Sequence, residues 1–246
     1  MSEFKLPTEQ VELPSKGLVY PETNPLSSGV IEMKYMTAKE EDILTNQNYI
    51  KDGTVIDKLL KSLIVSKVNY DDLIVGDRNA IMIAARVLGY GEDYTFTFLN
   101  KEETVDLSQI EPRYLSEDMI PTKGVNKFSF KLPTTGVTIE YKLLTGSDDK
   151  KIRQEIKGLQ KINKNVSPEI STHLKYMILS VDGNEESKTI REFVDNYMLA
   201  RDSKALRDHI KNTQPDIDLT FKYERDNGED GEASIPITAN FFWPDV

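Results

Sequence analysis

Gly76-Asp-Arg-Asn-Ala-Ile-Met-Ile-Ala-Ala-Arg-Val-Leu-Gly-Tyr-Gly91 is the stretch that decides the fold. On a helical wheel its apolar side chains cover most of the circumference, and only Asn79 and Arg86 share a narrow polar strip. A helix that is apolar on nearly every side is buried in a protein or in a membrane. This one is too short for a bilayer, which needs about twenty residues. The stretch therefore predicts the central core helix of a soluble domain, with Asp77 as its N-terminal cap and Gly89 at its end.

Composition narrows the classes of function that this chain can have. It has 246 residues with 38% hydrophobic side chains, enough for a core, and a formal net charge of −10. An acidic protein gains no affinity from a phosphate backbone, so nucleic acid is not expected as a partner. The absence of cysteine excludes disulfides, thiol catalysis and thiolate metal sites, and two histidines are too few for an imidazole-rich site. We therefore expect no cofactor and no metal ion.

Membrane association is also not expected. No apolar run approaches the length of a membrane span, and the N-terminus lacks the basic and apolar regions of a signal peptide. These features predict an intracellular, soluble protein.

Candidate catalytic groups are few. Adjacent carboxylates occur at Asp71-Asp72, Asp148-Asp149 and Glu185-Glu186. Catalytic carboxylates must face each other across a substrate, whereas adjacent pairs at helix starts more simply complement the helix dipole. His173 and His209 have no nucleophile or acid at a triad or metal spacing. We expect no catalytic residue, and a hydrolase built on a carboxylate pair is the least favoured alternative.

The patterns along the chain predict an α+β fold, with a helical core and several β-hairpins. Alternating aromatic and β-branched residues predict hairpins over residues 94–107 and 128–144, and a third hairpin over 217–243. Amphipathic spacing and capping residues predict helices that begin after Thr37 and Thr54, followed by a helical block after Ser147.

Four segments divide the chain in this prediction. Residues 1–29 carry regularly spaced prolines and are expected to form an extended N-terminal arm. Residues 30–110 form an α+β region around the central helix, 111–127 form a linker, and 128–246 form a hairpin, the helical block and a C-terminal hairpin. The apolar part of the arm, residues 13–21, docks either on the chain's own core, which we favour, or on a neighbouring subunit.

Arg86 lies on the helix that is expected to be buried. Its guanidinium must be paired, because an unpaired buried charge costs several kcal/mol. We favour an internal carboxylate as its partner, and a contact with another subunit is the alternative.

Two further features are candidate contacts with partner proteins. A basic stripe follows one side of the helix after Ser147 and consists of Lys150, Arg153, Lys157, Lys161 and Lys164. Such a stripe fits an acidic partner helix, although a solvated face is the simpler interpretation. The aromatic terminus Phe241, Phe242 and Trp243 either closes the protein's own core or anchors a partner, since exposed aromatic residues are frequent hot spots.

Several short segments form an ordered series along the chain. They are Leu13-Pro-Ser15, Gly76-Asp-Arg-Asn-Ala80 with Arg86 and Gly89-Tyr-Gly91, Leu143-Leu-Thr-Gly-Ser-Asp-Asp-Lys150, Val181-Asp-Gly183, Pro215-Asp-Ile-Asp218 and Phe241-Phe-Trp-Pro244. Each segment alone is unspecific, but in this order they cover roughly residues 13 to 245. The series resembles the baseplate hub subunit and hub-assembly family of T-even-type contractile-tailed bacteriophages.

The resemblance implies a non-enzymatic late protein of tail morphogenesis. It would be a structural or assembly component of the baseplate hub and act through protein–protein contacts. The implied partners are other hub or tape-measure proteins, with a homo-oligomer also open. The implied location is the host cytoplasm during assembly and then the tail baseplate of the virion. An alternative role in the same family is a transient chaperone for hub or tape-measure proteins that is absent from the mature virion.

The resemblance also bears on zinc. In some members of the family, two hairpins carry Cys-x-x-Cys pairs in the manner of small zinc ribbons. The corresponding positions here lie near residues 98–103 and 223–232 and hold no cysteine. The resemblance therefore implies two ribbon-like hairpins without zinc, held together by the aromatic side chains of Tyr94, Phe96, Phe98, Phe221 and Tyr223.

Overall fold

The computed structural model describes residues 6–163, 167–224, 228–237 and 241–243. The regular elements of these residues are helices and several small antiparallel sheets. This combination confirms the predicted α+β class. None of the helices in these ranges is long and apolar enough to cross a membrane.

The helices follow from amphipathic segments, and α1, α2 and α5 also begin with a side-chain cap. They are α1 (Ala38–Leu44), α2 (Gln47–Asp52), α3 (Val55–Leu63), α4 (Val75–Tyr90), α5 (Gly146–Ile162), α6 (Glu169–Met177), α7 (Ser187–Glu192) and α8 (Ala200–Thr213). A π-helical turn, Phe193–Tyr197, continues α7. At α5 the caps are reciprocal: the Thr145 hydroxyl accepts from the Asp148 N–H, and the Asp148 carboxylate accepts from the Thr145 N–H. The predicted capping box at Thr37 is present at α1.

The strands form one three-stranded sheet and several two-stranded ribbons. They are β1 (Thr8–Glu12), β2 (Val30–Lys34), β3 (Asp93–Phe98), β4 (Lys101–Asp106), β5 (Pro112–Arg113), β6 (Phe128–Lys131), β7 (Thr138–Tyr141), β8 (Ile178–Val181), β9 (Asp216–Ile217), β10 (Thr220–Glu224) and β11 (Asp230–Ser234). The sheet has the order β6-β7-β8, and the ribbons are β1-β2, β3-β4, β5-β9 and β10-β11, all of them antiparallel.

Helix α4 lies in the core, as the opening stretch predicts, but two details differ. Asp77 is in the first turn and Ile74 is the N-cap residue, while the end is marked by Gly91, at a φ of 86°, rather than by Gly89. One side of the helix, which includes Val87 and Leu88, is only half-buried. The helix is therefore central without being covered all round.

The first two predicted hairpins are confirmed as β3-β4 and β6-β7. The third hairpin is present, but its second strand was expected over residues 235–243 and instead is β11, Asp230–Ser234, which pairs with β10. The register explains the difference. Phe221 lies opposite Ala233 and Tyr223 lies opposite Gly231. Two small residues thus leave room for two aromatic rings, a pairing that hydrophobic alternation does not reveal.

Aromatic rings join the β3-β4 ribbon to the β10-β11 ribbon. The ring centroids of Phe96 and Phe221 are 5.1 Å apart, and those of Phe98 and Tyr223 are 4.9 Å apart, both pairs in edge-to-face geometry. Tyr94 packs edge-to-face on Phe241 at 5.0 Å. The expectation that these hairpins are held by aromatic packing is confirmed.

The buried side chains of all the predicted segments form one core. It includes Leu13 and Leu26 from the arm, Ile81 from α4, Leu115 from the expected linker, and Leu206 from the helical block. The arm therefore docks on the chain's own core, the favoured alternative, and adds β1 to β2. The division into four segments stays a prediction.

Candidate functional site

Four of the motif segments converge at the start of α4. The segments Leu13-Pro-Ser15, Leu143-to-Lys150 and Pro215-to-Asp218 are far apart in sequence, yet each contacts the fourth segment, Gly76-to-Ala80, in the first turns of this helix. This convergence is the first candidate site.

The Asp77 carboxylate is the anchor for the N-terminal arm. It accepts hydrogen bonds from the Ser15 N–H at 2.9 Å, from the Ser15 hydroxyl at 2.7 Å and from the Tyr20 hydroxyl at 2.6 Å. The Tyr20 oxygen in turn accepts from the N–H of Ile74, the residue that caps α4. Burial raises the pKa of Asp77 to about 6, and burial together with the Asp77 charge raises the pKa of Tyr20 well above its ordinary value. Asp77 thus fastens the arm to the helix instead of capping it.

Gly76 lies against the segment that follows α8. A Cβ atom at this position would be 1.9 Å from the carbonyl oxygen of Pro215. One turn further along α4, the Asn79 side chain donates to the Asp216 carboxylate at 2.8 Å. The Pro215-to-Asp218 motif is therefore a docking segment for the central helix.

Arg78 connects α4 to α3 and α5. Its guanidinium forms ion pairs with Asp57 at 2.7 Å and Asp149 at 2.9 Å, and its Nε donates to the Tyr70 hydroxyl. Burial opposes the charge of Arg78, but Tyr70 and the two carboxylates outweigh this effect and raise its pKa. The polar groups of the convergence are thus used within the fold, and the site is a structural junction.

Arg86 is buried, with 3% of its surface exposed, but its expected carboxylate partner is absent from the described residues. Instead the guanidinium donates to the backbone carbonyls of Gly91 at 2.8 Å and Asp93 at 2.9 Å. It also lies over the rings of Tyr90 and Tyr94, with its central carbon 5.5 Å and 5.9 Å from their centroids. Burial lowers the pKa of Arg86. Arg86 therefore closes the turn from α4 into β3.

Replacing Arg86 with methionine tests this role. Arg86→Met keeps the apolar stem but removes both donors, so we expect a loss of about 2 kcal/mol in the free energy of unfolding, measured by urea denaturation. Arg86→Lys, which keeps a cation near the rings, is expected to lose less. A methionine variant as stable as the parent chain would contradict the role.

The basic stripe lies on the exposed side of α5. Lys150 is paired with Asp71, whereas Arg153, Lys157 and Lys161 are exposed and form no ion pair with another described residue. Lys164 lies outside the described residues. Three neighbouring cations on one helix face are therefore free to meet an acidic partner.

The aromatic terminus lies inside the protein's own core. Phe241 and Phe242 are 0% and 2% exposed, and Trp243 donates its indole N–H to the carbonyl of Leu44 at 3.2 Å. This is the first of the two alternatives that the sequence left open. The structure therefore does not support these three residues as partner contacts.

Asp148, His209 and His173 have structural partners. Asp148 caps α5 and pairs with Lys142, and His209 stacks on Phe130 at 4.5 Å. The His173 ring contacts the carbonyl of Glu169, one turn earlier in α6. Among the described residues no cluster of three or more metal-ligating side chains occurs.

A comparison with known protein families adds a finding that the geometry alone does not contain. A family model described as T4 bacteriophage base plate protein matches residues 9–243. No curated protein and no solved structure matches the chain.

Proposed function

Because the chain belongs to the T4 bacteriophage base plate protein family, we propose that it is a structural or assembly component of the baseplate hub. In this proposal the protein is made in the host cytoplasm, meets other hub or tape-measure proteins there, and works without catalysis or a cofactor. In this role the protein contributes to the assembly of the tail baseplate.

The observation that carries the proposal is the internal use of the motif series. Across the start of α4, Ser15 bonds to Asp77 and Arg78 pairs with Asp149. These four polar side chains therefore stabilise the fold, and none of them is left to act on a substrate. A protein of this kind acts through its surface. The exposed side of α5 then supplies the first surface to test.

The basic stripe fits an acidic partner helix. Arg153, Lys157 and Lys161 follow each other at helical spacing on a chain whose net charge is −10. Like charges elsewhere on the chain discourage self-association through most of its surface, whereas this stripe attracts an acidic segment.

Charge reversal tests the stripe. The variant Arg153→Glu, Lys157→Glu, Lys161→Glu is expected to fold normally, because these side chains are exposed and unpaired within the described residues. Recovery of tail proteins with the tagged chain from infected cells, quantified by mass spectrometry, is expected to fall about tenfold or more.

A matched control changes the same number of charges on another helix. Arg201, Arg207 and Lys211 are exposed residues of α8, and their replacement by glutamate is expected to leave the recovery unchanged. Equal recovery with both triple variants would remove the stripe from the proposal. Absence of every tail protein from the parent sample would count against the proposed function itself.

A groove favours the transient chaperone as a second candidate. The groove has a volume of about 550 Å³, and its lining includes Ile170 of α6, Val194 of the π-helical turn and Met198, the residue after that turn. Ile170 is about half exposed, as is Leu199, the next residue in sequence after Met198. An open apolar groove suits a hydrophobic client helix. Mass spectrometry of purified virions separates the two roles, because a hub component is present in stoichiometric amounts and a transient chaperone is missing.

A further inference from the structure

The outer edge of β1 has unused backbone groups. The bonds from Leu13 N–H to the Gly29 carbonyl and from Tyr35 N–H to the Pro7 carbonyl show that the odd-numbered residues of this segment face β2. In an antiparallel pair the intervening residues point their backbone groups the other way. Thr8, Gln10 and Glu12 therefore present N–H and C=O groups outward, and no described residue pairs with them.

An apolar groove of about 320 Å³ runs beside this edge. Its floor is the half-buried side of α4, with Ala84, Val87 and Leu88, and its far wall includes Ile110 and Ile217. This is the uncovered side of the central helix. An unpaired strand edge and an uncovered apolar surface thus lie next to each other.

The groove is closed at one end. There the Leu115 N–H donates to the Pro14 carbonyl at 2.9 Å, and the Tyr114 hydroxyl donates to the Glu12 carboxylate at 2.7 Å. Residues 112–115 thus bond to the arm at Pro14 and to the Glu12 side chain, whereas the outward backbone groups of β1 have no partner among the described residues. The groove therefore has β1 on one side and residues 112–115 at its closed end.

Side-chain alternation matches the groove to a strand. Val11 lies opposite Ile31 on the core face of the β1-β2 ribbon, and it also lines the groove. A strand added to β1 continues this face, so every second side chain enters the groove and the others point to solvent. Backbone bonds give such a complex affinity, and the groove gives it specificity.

The negative charge of the β1 edge distinguishes between two possible occupants of the groove, a second copy of this chain and a basic segment of another protein. The edge carries Glu9 and Glu12, both exposed. A second copy of this chain, pairing β1 with β1, would bring two more glutamates to the same edge, which is unfavourable. A segment with lysine or arginine between its apolar residues instead brings its cations to the solvent face of β1, where Glu12 lies and Glu9, on the face of Val11, does not.

We propose that the groove beside β1 binds an extended segment of another protein, in which apolar residues alternate with lysine or arginine and which adds to β1 as a further strand. This inference rests on the proposed function, because it assigns a contact surface to an assembly protein. It is separate from the basic stripe on α5.

The test uses the full chain and a defined probe, a blocked peptide of alternating valine and lysine long enough to cover β1. Amide hydrogen exchange followed by NMR is expected to slow about tenfold or more at Thr8, Gln10 and Glu12 when the peptide is present. The same peptide with glutamate in place of lysine is expected to bind at least about tenfold more weakly.

Two variants test the edge and the groove separately. Gln10→Pro removes an outward N–H that β2 does not use, so the ribbon is expected to survive while peptide affinity falls about tenfold. Ala84→Leu retains a good helix former and fills the floor, and it is expected to weaken binding as well. Thermal unfolding of both variants checks that the fold is intact.

The outcomes are decisive in either direction. Failure of the lysine peptide to bind, equal binding of the glutamate peptide, or protection outside β1 would overturn the inference. Concentration-dependent protection of the same amides without peptide would overturn it in favour of a second copy. None of these results depends on recovering tail proteins from infected cells, so the groove can fail while the proposed function stands.

Discussion

Replacing Gly76 with alanine is expected to destabilise the folded chain by about 4 kcal/mol or more. The added Cβ would lie 1.9 Å from the carbonyl oxygen of Pro215 and 2.8 Å from its carbonyl carbon, both backbone atoms. This backbone cannot easily retreat, because Asp216 pairs with Arg113 in the β5-β9 ribbon and also accepts from Asn79. Urea denaturation followed by circular dichroism measures the loss.

Gly158→Ala is the matched control for Gly76→Ala. Gly158 is also inside a helix, but it is exposed and its Cβ would meet nothing within 4 Å. Alanine restricts the unfolded chain and favours the helix, so this change is expected to stabilise by about 0.5 to 1 kcal/mol. Equal effects of the two substitutions would show that the contact with Pro215 is not as close as described.

Much of the fold follows from local patterns. The core helix α4, the β3-β4 and β6-β7 hairpins and the capped start of α1 all arise from spacings within one turn or one strand pair. Periodicity and capping act over such distances, so the sequence reveals them. The β10-β11 pairing is not revealed by these local patterns. Its small residues Gly231 and Ala233 fit the aromatic rings opposite them, and that fit depends on the partner strand.

The contacts of the junction could not be read from the sequence in this way. Asp77 has the right residue type for a helix cap, but its hydroxyl donor on Ser15 is 62 residues away. Tyr20 and Tyr70 carry no local signal at all, since a hydroxyl group does not specify its partner. The ordered series of motif segments indicated a family resemblance, but it did not indicate that these segments contact one another.

Of the two candidate contact surfaces, one could be predicted from the sequence and the other could not. The stripe of Arg153, Lys157 and Lys161 was visible because helical spacing places its members on one face. The groove beside β1 was not, because it depends on which strand edge stays unpaired and on which side of α4 stays uncovered. Tertiary arrangement decides both.

The residues that build the junction are therefore not those expected to make contacts with partner proteins. Substitutions in the junction should lower the amount of folded protein, whereas substitutions in the stripe or the groove should lower binding and leave folding unchanged. Measurements of stability and of recovery should thus separate into two groups of variants. A junction variant with full stability and lost recovery would break this division.

Asp77→Ala is expected to cost about 3 kcal/mol in the free energy of unfolding. The substitution removes the common acceptor of the Ser15 N–H, the Ser15 hydroxyl and the Tyr20 hydroxyl, all of them buried. The arm should then open more often, and trypsin cleavage after the exposed Lys16 should rise about tenfold or more. Asp77→Asn, which keeps the shape and one acceptor oxygen, is expected to lose less. Unchanged cleavage in the alanine variant would contradict the anchoring role.

The pH dependence of stability provides an independent check on Asp77. Burial raises its pKa to about 6 in the folded chain, from an ordinary value of 3.8. Between these values the folded carboxyl binds a proton that the unfolded one has lost, so protonation stabilises the fold. This contribution is complete below about pH 4 and is lost as the pH rises through about 6. The free energy of unfolding of the parent chain minus that of Asp77→Asn should therefore fall from pH 4 to pH 7 and then level off. The subtraction cancels the other carboxylates, so a difference that rises with pH would mean that the three donors outweigh burial at this anchor.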